Sequence, residues 1–204
     1  MHVRGANKMN WIDECDESTL DSWIYEIPEF DDGDQYRCAL GWPRTSDGRY
    51  LVCVGINPNT AKPGKATLDK TTKKVRELAF RHGYDGFILI NPYPLRGEKP
   101  ECLPRCANHL VMEENFAKIK GVLFGKKADV LAAWGNAIDE RAYIPACVGA
   151  IESIVKQECN DAIWLQLGEC TKDGNPRHPL YVAYRTPLRN FDINKYLEKK
   201  LQID

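Results

Sequence analysis

Residues 49–61 read RYLVCVGINPNTA and residues 86–95 read GFILINPYPL. Each is a continuous apolar run that ends in Asn-Pro. A strand that is apolar on both faces is buried on both, the habit of a parallel sheet covered by helices. Between the two runs, Val75, Leu78, Ala79 and Phe80 recur at helical spacing and Gly83 ends the pattern, so residues 69–83 are expected as a helix. Strand, helix, strand is a βαβ unit, and it sets the fold class.

The flanking sequence extends the same alternation. YRCALGW (36–42) reads as a strand, and the turn chemistry of PRTSDG (43–48) joins it to RYLVCVGI (49–56) as an expected antiparallel hairpin. Residues 106–124 carry helical spacing, and ADVLAAWG (128–135) is a strand. Residues 136–157 are helical with breaks at Pro145 and Gly149, and AIWLQL (162–167) is a short strand. PLYVAY (179–184) is a strand or a loop, and residues 190–201 form a last helix. The expected fold is a three-layer α/β/α sandwich with a mostly parallel central sheet, an N-terminal β-hairpin and an acidic arm.

The chain has 204 residues and a net charge of −1. That charge hides an asymmetry. Residues 1–34 hold ten acids against Arg4 and Lys8, a net of −8, which leaves +7 on the remainder. The arm at 1–34 is expected to be loosely attached, with an amphipathic helix near 18–26, and residues 35–204 are read as one domain. Residues 57–76 carry Lys62, Lys65, Lys70, Lys73, Lys74 and Arg76 against Asp69. This loop is a candidate for attracting phosphate, or a solvated helix start.

The eight cysteines form no Cys-x-x-Cys pair. With no apolar signal region in MHVRGANKMNWIDECDE, a reducing cytoplasm and free thiols are expected. Cys102, Cys106 and His109 have loosely ligand-like spacing, but packing explains them better, so neither a metal nor a cofactor is expected. No apolar stretch approaches the roughly 20 residues of a membrane span.

In parallel sheets ligands sit beyond the carboxyl ends of the strands. Four segments lie there: Gly55-Ile56-Asn57-Pro58, Asn91-Pro92-Tyr93-Pro94, Trp134-Gly135-Asn136, and Arg177-His178-Pro179-Leu180. Two amides, an imidazole and aromatic faces suit a planar heterocycle, since Asn pairs with a base edge and Tyr stacks on its face. Singly, Asn-Pro after a strand is a turn, His before Pro is a structural group, and Trp-Gly is core packing. No Ser/His/Asp order, nucleophile elbow, Walker loop, Gly-x-Gly-x-x-Gly or His-Glu-x-x-His is present.

The order GINPNTA (55–61), FILINPYPL (87–95), DVLAAWGNAI (129–138) and RHPLY (177–181) resembles the uracil-DNA glycosylase superfamily, over residues 50–181. Gly55–Pro58 is similar to its Gly-x-Asn-Pro motif, and Asn91 to its base-reading Asn. Asn57 stands where the most active branch has a water-activating Asp. Residues 36–184 look more closely like an uncharacterised bacterial and phage family. That family pairs Asn-Pro-(Ser/Asn)-Thr-Ala with Asp69-Lys70-Thr71 and Pro-Arg-His-Pro-Leu-Tyr at 176–181.

The resemblance implies a nucleobase-recognising hydrolase that cleaves an N-glycosidic bond, a DNA glycosylase-like enzyme for a modified or damaged base. Lys62, Lys65, Lys70 and Lys73 would hold backbone phosphates, and Gly55, Pro58 and Trp134 would shape the pocket. Tyr93 would stack on the extruded base while Asn91 reads its edge. Neutral His178 would hydrogen-bond the leaving base, and Asn57 would position water. Asp69 is either the general base or a helix cap, and Leu180 either a wedge or a core residue. DNA or a nucleotide is the implied partner, with no membrane. Two other readings stay open: a non-catalytic protein that holds a nucleotide or flipped base, and an enzyme on free nucleosides or nucleotides. The acidic arm is expected near the basic loop, competing with phosphate, or else packed elsewhere.

Overall fold

The computed structural model describes residues 23–31, 33–43, 47–64 and 67–201. Seven strands form one sheet: β1 (Ile24–Glu26), β2 (Ala39–Pro43), β3 (Arg49–Val54), β4 (Gly86–Ile90), β5 (Lys127–Ala132), β6 (Trp164–Leu167) and β7 (Leu188–Asn190). Their order is β1-β2-β4-β3-β5-β6-β7. The central pairs β4/β3, β3/β5 and β5/β6 are parallel, whereas β1/β2, β2/β4 and β6/β7 are antiparallel. Only β2 and β7 therefore run against the rest.

Four helices cover the sheet: α1 (Lys70–Arg81), α2 (His109–Leu123), α3 (Ile144–Glu158) and α4 (Ile193–Leu201). Side-chain alternation along β3 assigns the layers. Leu51 and Cys53 pack with Val75, Leu78 and Ala79 of α1, while Tyr50, Val52 and Val54 pack with Ile119, Val148, Ile151 and Leu197 from the other three helices. The doubly buried strands are the ones whose sequence is apolar without alternation, as a covered sheet requires. At the amino end of the sheet Asp129 is held by both Arg49 and the hydroxyl of Tyr84, which satisfies a buried carboxylate far from the strand mouths.

Several expectations change in three dimensions. β2 and β3 are not a hairpin, because β4 lies between them, pairing Leu40 with Leu89 on one side and Cys53 with Leu89 on the other. GFILI is the most apolar segment, so the sheet gains most by burying it between two neighbours rather than at an edge. Residues 24–26 of the expected helix near 18–26 are the edge strand β1; residues 18–22 lie outside the described residues. Trp23 packs edge-on against Phe87. Pro145 does not break a helix but opens α3, where a missing N–H costs nothing, and α3 runs through Gly149 unbroken. Residues 179–181 are a short 3-10 helix, and β7 occupies 188–190, which the sequence reading assigns to no strand.

Among the described residues no helix is long and apolar enough to cross a membrane. Seven described cysteines are free thiols. Burial pushes Cys38 up to about 12 and Cys147 and Cys159 to about 11, which suits packing groups rather than nucleophiles.

Candidate functional site

The chain leaves β3 for α1 on one face of the sheet and leaves β5 for α3 on the other. Adjacent strand ends that diverge in this way open a crevice between them. A cavity of about 620 Å³ lies there, lined by segments following β3, β4, β5 and β6. Asn57, Asn91, His178, Asp69, Gly55, Trp134 and Leu180 all line it.

Asn91 directly follows β4 and is 4% exposed, yet its side-chain amide makes no hydrogen bond among the described residues. Gly55 explains its position. A β-carbon there would stand 2.7 Å from Asn91 Oδ1, so only glycine lets the amide lie across the end of β3. Asn57 is oriented by its own amide nitrogen, which donates to the Gly97 carbonyl at 2.8 Å, while the Gly97 N–H donates to the Pro58 carbonyl at 2.9 Å. The clamp uses Nδ2 and leaves the amide oxygen as the group with spare capacity.

His178 precedes the 3-10 helix at Pro179–Tyr181, and its Nδ1 accepts the Leu180 N–H at 3.3 Å. An imidazole that accepts at Nδ1 carries its proton on Nε2 when neutral. Burial holds the ring below its ordinary value, with Asp69 pulling weakly the other way, so the neutral form prevails. The side chain is thus fixed as an Nε2–H donor. Asp69 is the N-cap of α1, accepting the Thr72 N–H at 2.7 Å, and it also lines the cavity. The cap role and the site position coexist in one residue.

The imidazole is held from below. Gly135 (φ +60°) turns the chain after β5 so that its N–H donates to the Pro176 carbonyl at 3.0 Å. Asn175, fully buried, accepts from the Tyr196 hydroxyl at 2.7 Å and donates to Asn136 Oδ1 at 3.1 Å. Tyr196 in turn accepts from the Trp134 indole at 3.1 Å. Trp134 is 1% exposed and packs among Trp164, Phe191 and Tyr196. Its ring is core, so it supports the floor and offers no stacking face.

Tyr93 does not join the site. It is 2% exposed, tilts against Tyr143, and its hydroxyl accepts the Asn108 N–H at 3.3 Å. The Pro-x-Pro frame turns it into the core beneath α2. Pro58 is buried in the Asn57 clamp and does not line the cavity. Lys62 pairs with Asp34 at 2.6 Å, Lys70 and Lys73 are exposed on the first turn of α1, and Lys65 lies outside the described residues. Leu180 is exposed rather than core, beside Tyr181, which is 82% exposed and 5.7 Å from the His178 ring. Cys102, Cys106 and His109 make no group able to hold a metal among the described residues.

Among the lining residues that the sequence does not single out are Tyr181, Thr71 and Arg37. Tyr181 lies in the quoted RHPLY segment, where its exposure has no sequence signal. Thr71 enters through the first turn of α1. Arg37 sits before β2, in the expected strand 36–42, and reaches the cavity only because β2 lies beside β4.

The chain belongs to the family described as Protein of unknown function (DUF1643), which matches residues 37–180. No curated protein and no solved structure matches the chain. The glycosylase resemblance therefore rests on the residues quoted for it, not on these comparisons.

Proposed function

We propose that the protein is a nucleobase-recognising hydrolase, a DNA glycosylase-like enzyme that cleaves the N-glycosidic bond of a modified or damaged base. One observation carries the reading: Asn57, Asn91 and His178, from three separate strand ends, line a single cavity in which His178 is fixed as a neutral donor. The uracil-DNA glycosylase-like fold belongs to this proposal, supported by the same ordered segments on a mostly parallel sheet.

In the reaction the bond from C1′ to the base nitrogen breaks and its electron pair leaves with the base. His178 Nε2–H donates to the base oxygen or nitrogen where that charge gathers, a service worth roughly 3–4 kcal/mol by comparison with other preorganised donors. The sugar gains oxocarbenium character, which the carboxylate of Asp69 stabilises. Asn57 Oδ1 accepts a hydrogen bond from water and points it at C1′, and the proton released passes to Asp69 or to solvent. Asn91 reads the base edge. Tyr181 takes the stacking place that Tyr93 cannot fill, at the cavity mouth beside Leu180.

The test is a panel of oligonucleotides bearing uracil, hypoxanthine, alkylated and hypermodified bases, scored for abasic sites. Cleavage of one member by the wild-type chain, lost in His178→Ala and Asn91→Ala, supports the reading. Cleavage that survives Asn57→Ala, Asp69→Ala and His178→Ala alike refutes it. Binding without cleavage selects the non-catalytic reading.

A further inference from the structure

The cavity contains a buried cation that no carboxylate touches among the described residues. Arg37 is 3% exposed and lines the cavity, but no carboxylate lies within ion-pair distance of it among the described residues. Its Nη1 donates to the Ala61 carbonyl at 2.5 Å and reaches the Asn59 carbonyl at 3.5 Å. Among the described residues its Nε is shut in without a partner, and Nη2 makes no hydrogen bond. Burial, with Arg96 adding to it, lowers the guanidinium to about 10, so it stays charged at neutral pH. Proteins pair or hydrogen-bond buried charges, and a guanidinium using one nitrogen of three is far from satisfied.

The carboxylates nearby favour the charge on Arg37 only from a distance, Asp69 first and Asp34 more weakly, and neither is in contact with it. Asp69 is turned to the Thr72 N–H of its own helix, and Asp34 is occupied by Lys62 and by Arg96 at 3.1 Å. Glu98, Glu101 and Glu140 also line the cavity, and all three are exposed, Glu101 in the short 3-10 helix Pro100–Cys102. On the Arg37 side stands the start of α1, a helix of 12 residues, where Thr71 lines the cavity. Asp69 satisfies the Thr72 and Lys73 amides, and those of Lys70 and Thr71 have no partner among the described residues, as at any helix start.

We propose that Arg37, with the Thr71 end of α1, is an oxyanion anchor that holds a phosphate group of the nucleotide whose base occupies the cavity. The assignment deepens the nucleobase reading of the same site and rests on it. Arg37 supplies the planar fork suited to phosphate, and Thr71 adds a hydroxyl and an open amide. A nucleotide phosphate has two sources, a free nucleotide or a strand of nucleic acid, and either presents the same oxygens.

Calorimetric titration of the full chain with the four deoxynucleosides, their 5′-monophosphates, inorganic phosphate and a single-stranded oligonucleotide tests it. At least one monophosphate, or the oligonucleotide, is expected to bind about tenfold or more tighter than the matching nucleoside, the value of one charge-assisted contact. In Arg37→Gln that preference disappears while nucleoside affinity stays. A purely structural clamp on Ala61 would instead weaken nucleoside and nucleotide together. Preference for monophosphates identifies a free nucleotide; preference for the oligonucleotide alone identifies a strand. Equal binding of nucleosides and their phosphorylated forms overturns the anchor and leaves the base reading standing. Phosphate binding lost in Arg37→Gln, with no nucleoside bound, keeps the anchor and removes the base reading. If Arg37→Gln fails to fold, Arg37→Lys and Thr71→Val take its place: a reduced preference supports the anchor, and an undiminished one in both overturns it.

Discussion

Asn91 Oδ1 occupies the space that a β-carbon on Gly55 would fill, 2.7 Å from that point. The last residue of one strand run thus depends on the absence of a side chain at the end of its neighbour. Gly55→Ala is expected to displace the Asn91 amide, since a side chain yields more readily than the backbone around it. Ligand affinity should fall about tenfold, close to the loss in Asn91→Ala, for about 1 kcal/mol of stability. Parallel titrations and thermal melts of the two variants check this. A Gly55→Ala chain that binds like wild type would mean that Asn91 does not read the ligand.

Burial holds His178 below its ordinary 6.5, so between the two values the unfolded chain takes up a proton that the folded chain refuses. Its stability contribution is therefore complete above 6.5 and is lost as pH falls toward the folded value. Activity follows the same direction, flat from neutrality upward and declining on acidification, because a protonated ring no longer accepts the Leu180 N–H. His178→Gln should lower the rate about a hundredfold and flatten the acid limb. A profile whose acid limb survives that substitution assigns the titration to another group.

The sheet and its mouth were legible because apolar runs ending in Asn-Pro or Trp-Gly locate strand ends, and strand ends locate a crevice. Tyr93 lies in the core and not at the mouth for a physical reason. Pro92 and Pro94 stiffen the backbone around it, but stiffness does not say which side the ring takes, and α2 with Tyr143 buries it. Arg37 was invisible for the opposite reason. Its place beside the cavity comes from β2 pairing with β4, a contact 49 residues apart in Leu40 and Leu89 that no local pattern encodes. Trp134 shows both sides: its strand position was readable, but its bond to Tyr196, 62 residues away, was not.

Asn175 ties the His178 loop to the floor, bonding Tyr196, Asn136 and Asp139 while fully buried. Asn175→Ala leaves those partners unsatisfied, and the cost should reach about 2–3 kcal/mol. Asn175→Asp tests the network rather than the volume. It keeps the acceptor for the Tyr196 hydroxyl, loses the donor to Asn136 and adds repulsion from Asp139. Chemical denaturation should rank wild type above both variants, and the rate should fall in both as the imidazole loosens.

Asp69 separates into two measurable roles. Asn also caps helices, so Asp69→Asn should keep the Thr72 bond and stability, whereas Asp69→Ala should cost about 1 kcal/mol. If the carboxylate stabilises the oxocarbenium or takes the water proton, Asp69→Asn loses rate while its melting curve matches wild type. A rate that tracks stability across both variants reduces Asp69 to a cap.

Asp34, the last acid of the N-terminal arm, reaches Lys62 at 2.6 Å and Arg96 at 3.1 Å. It therefore neutralises a lysine of the basic loop that, on the proposed reading, would otherwise meet phosphate. Its backbone is left-handed (φ 55°), which Asn tolerates, so Asp34→Asn removes the charge without disturbing the turn. The exposed Lys62 pair contributes little, but Arg96, whose side chain is 10% exposed, loses its carboxylate, so stability should fall by about 1 kcal/mol. Binding to single-stranded oligonucleotide should tighten at low salt, and the slope of log affinity against log salt should steepen by about 0.7, one phosphate's worth. Lys62→Ala in the same background should return both to the wild-type values. Tightening that persists at high salt would place the effect in packing rather than charge.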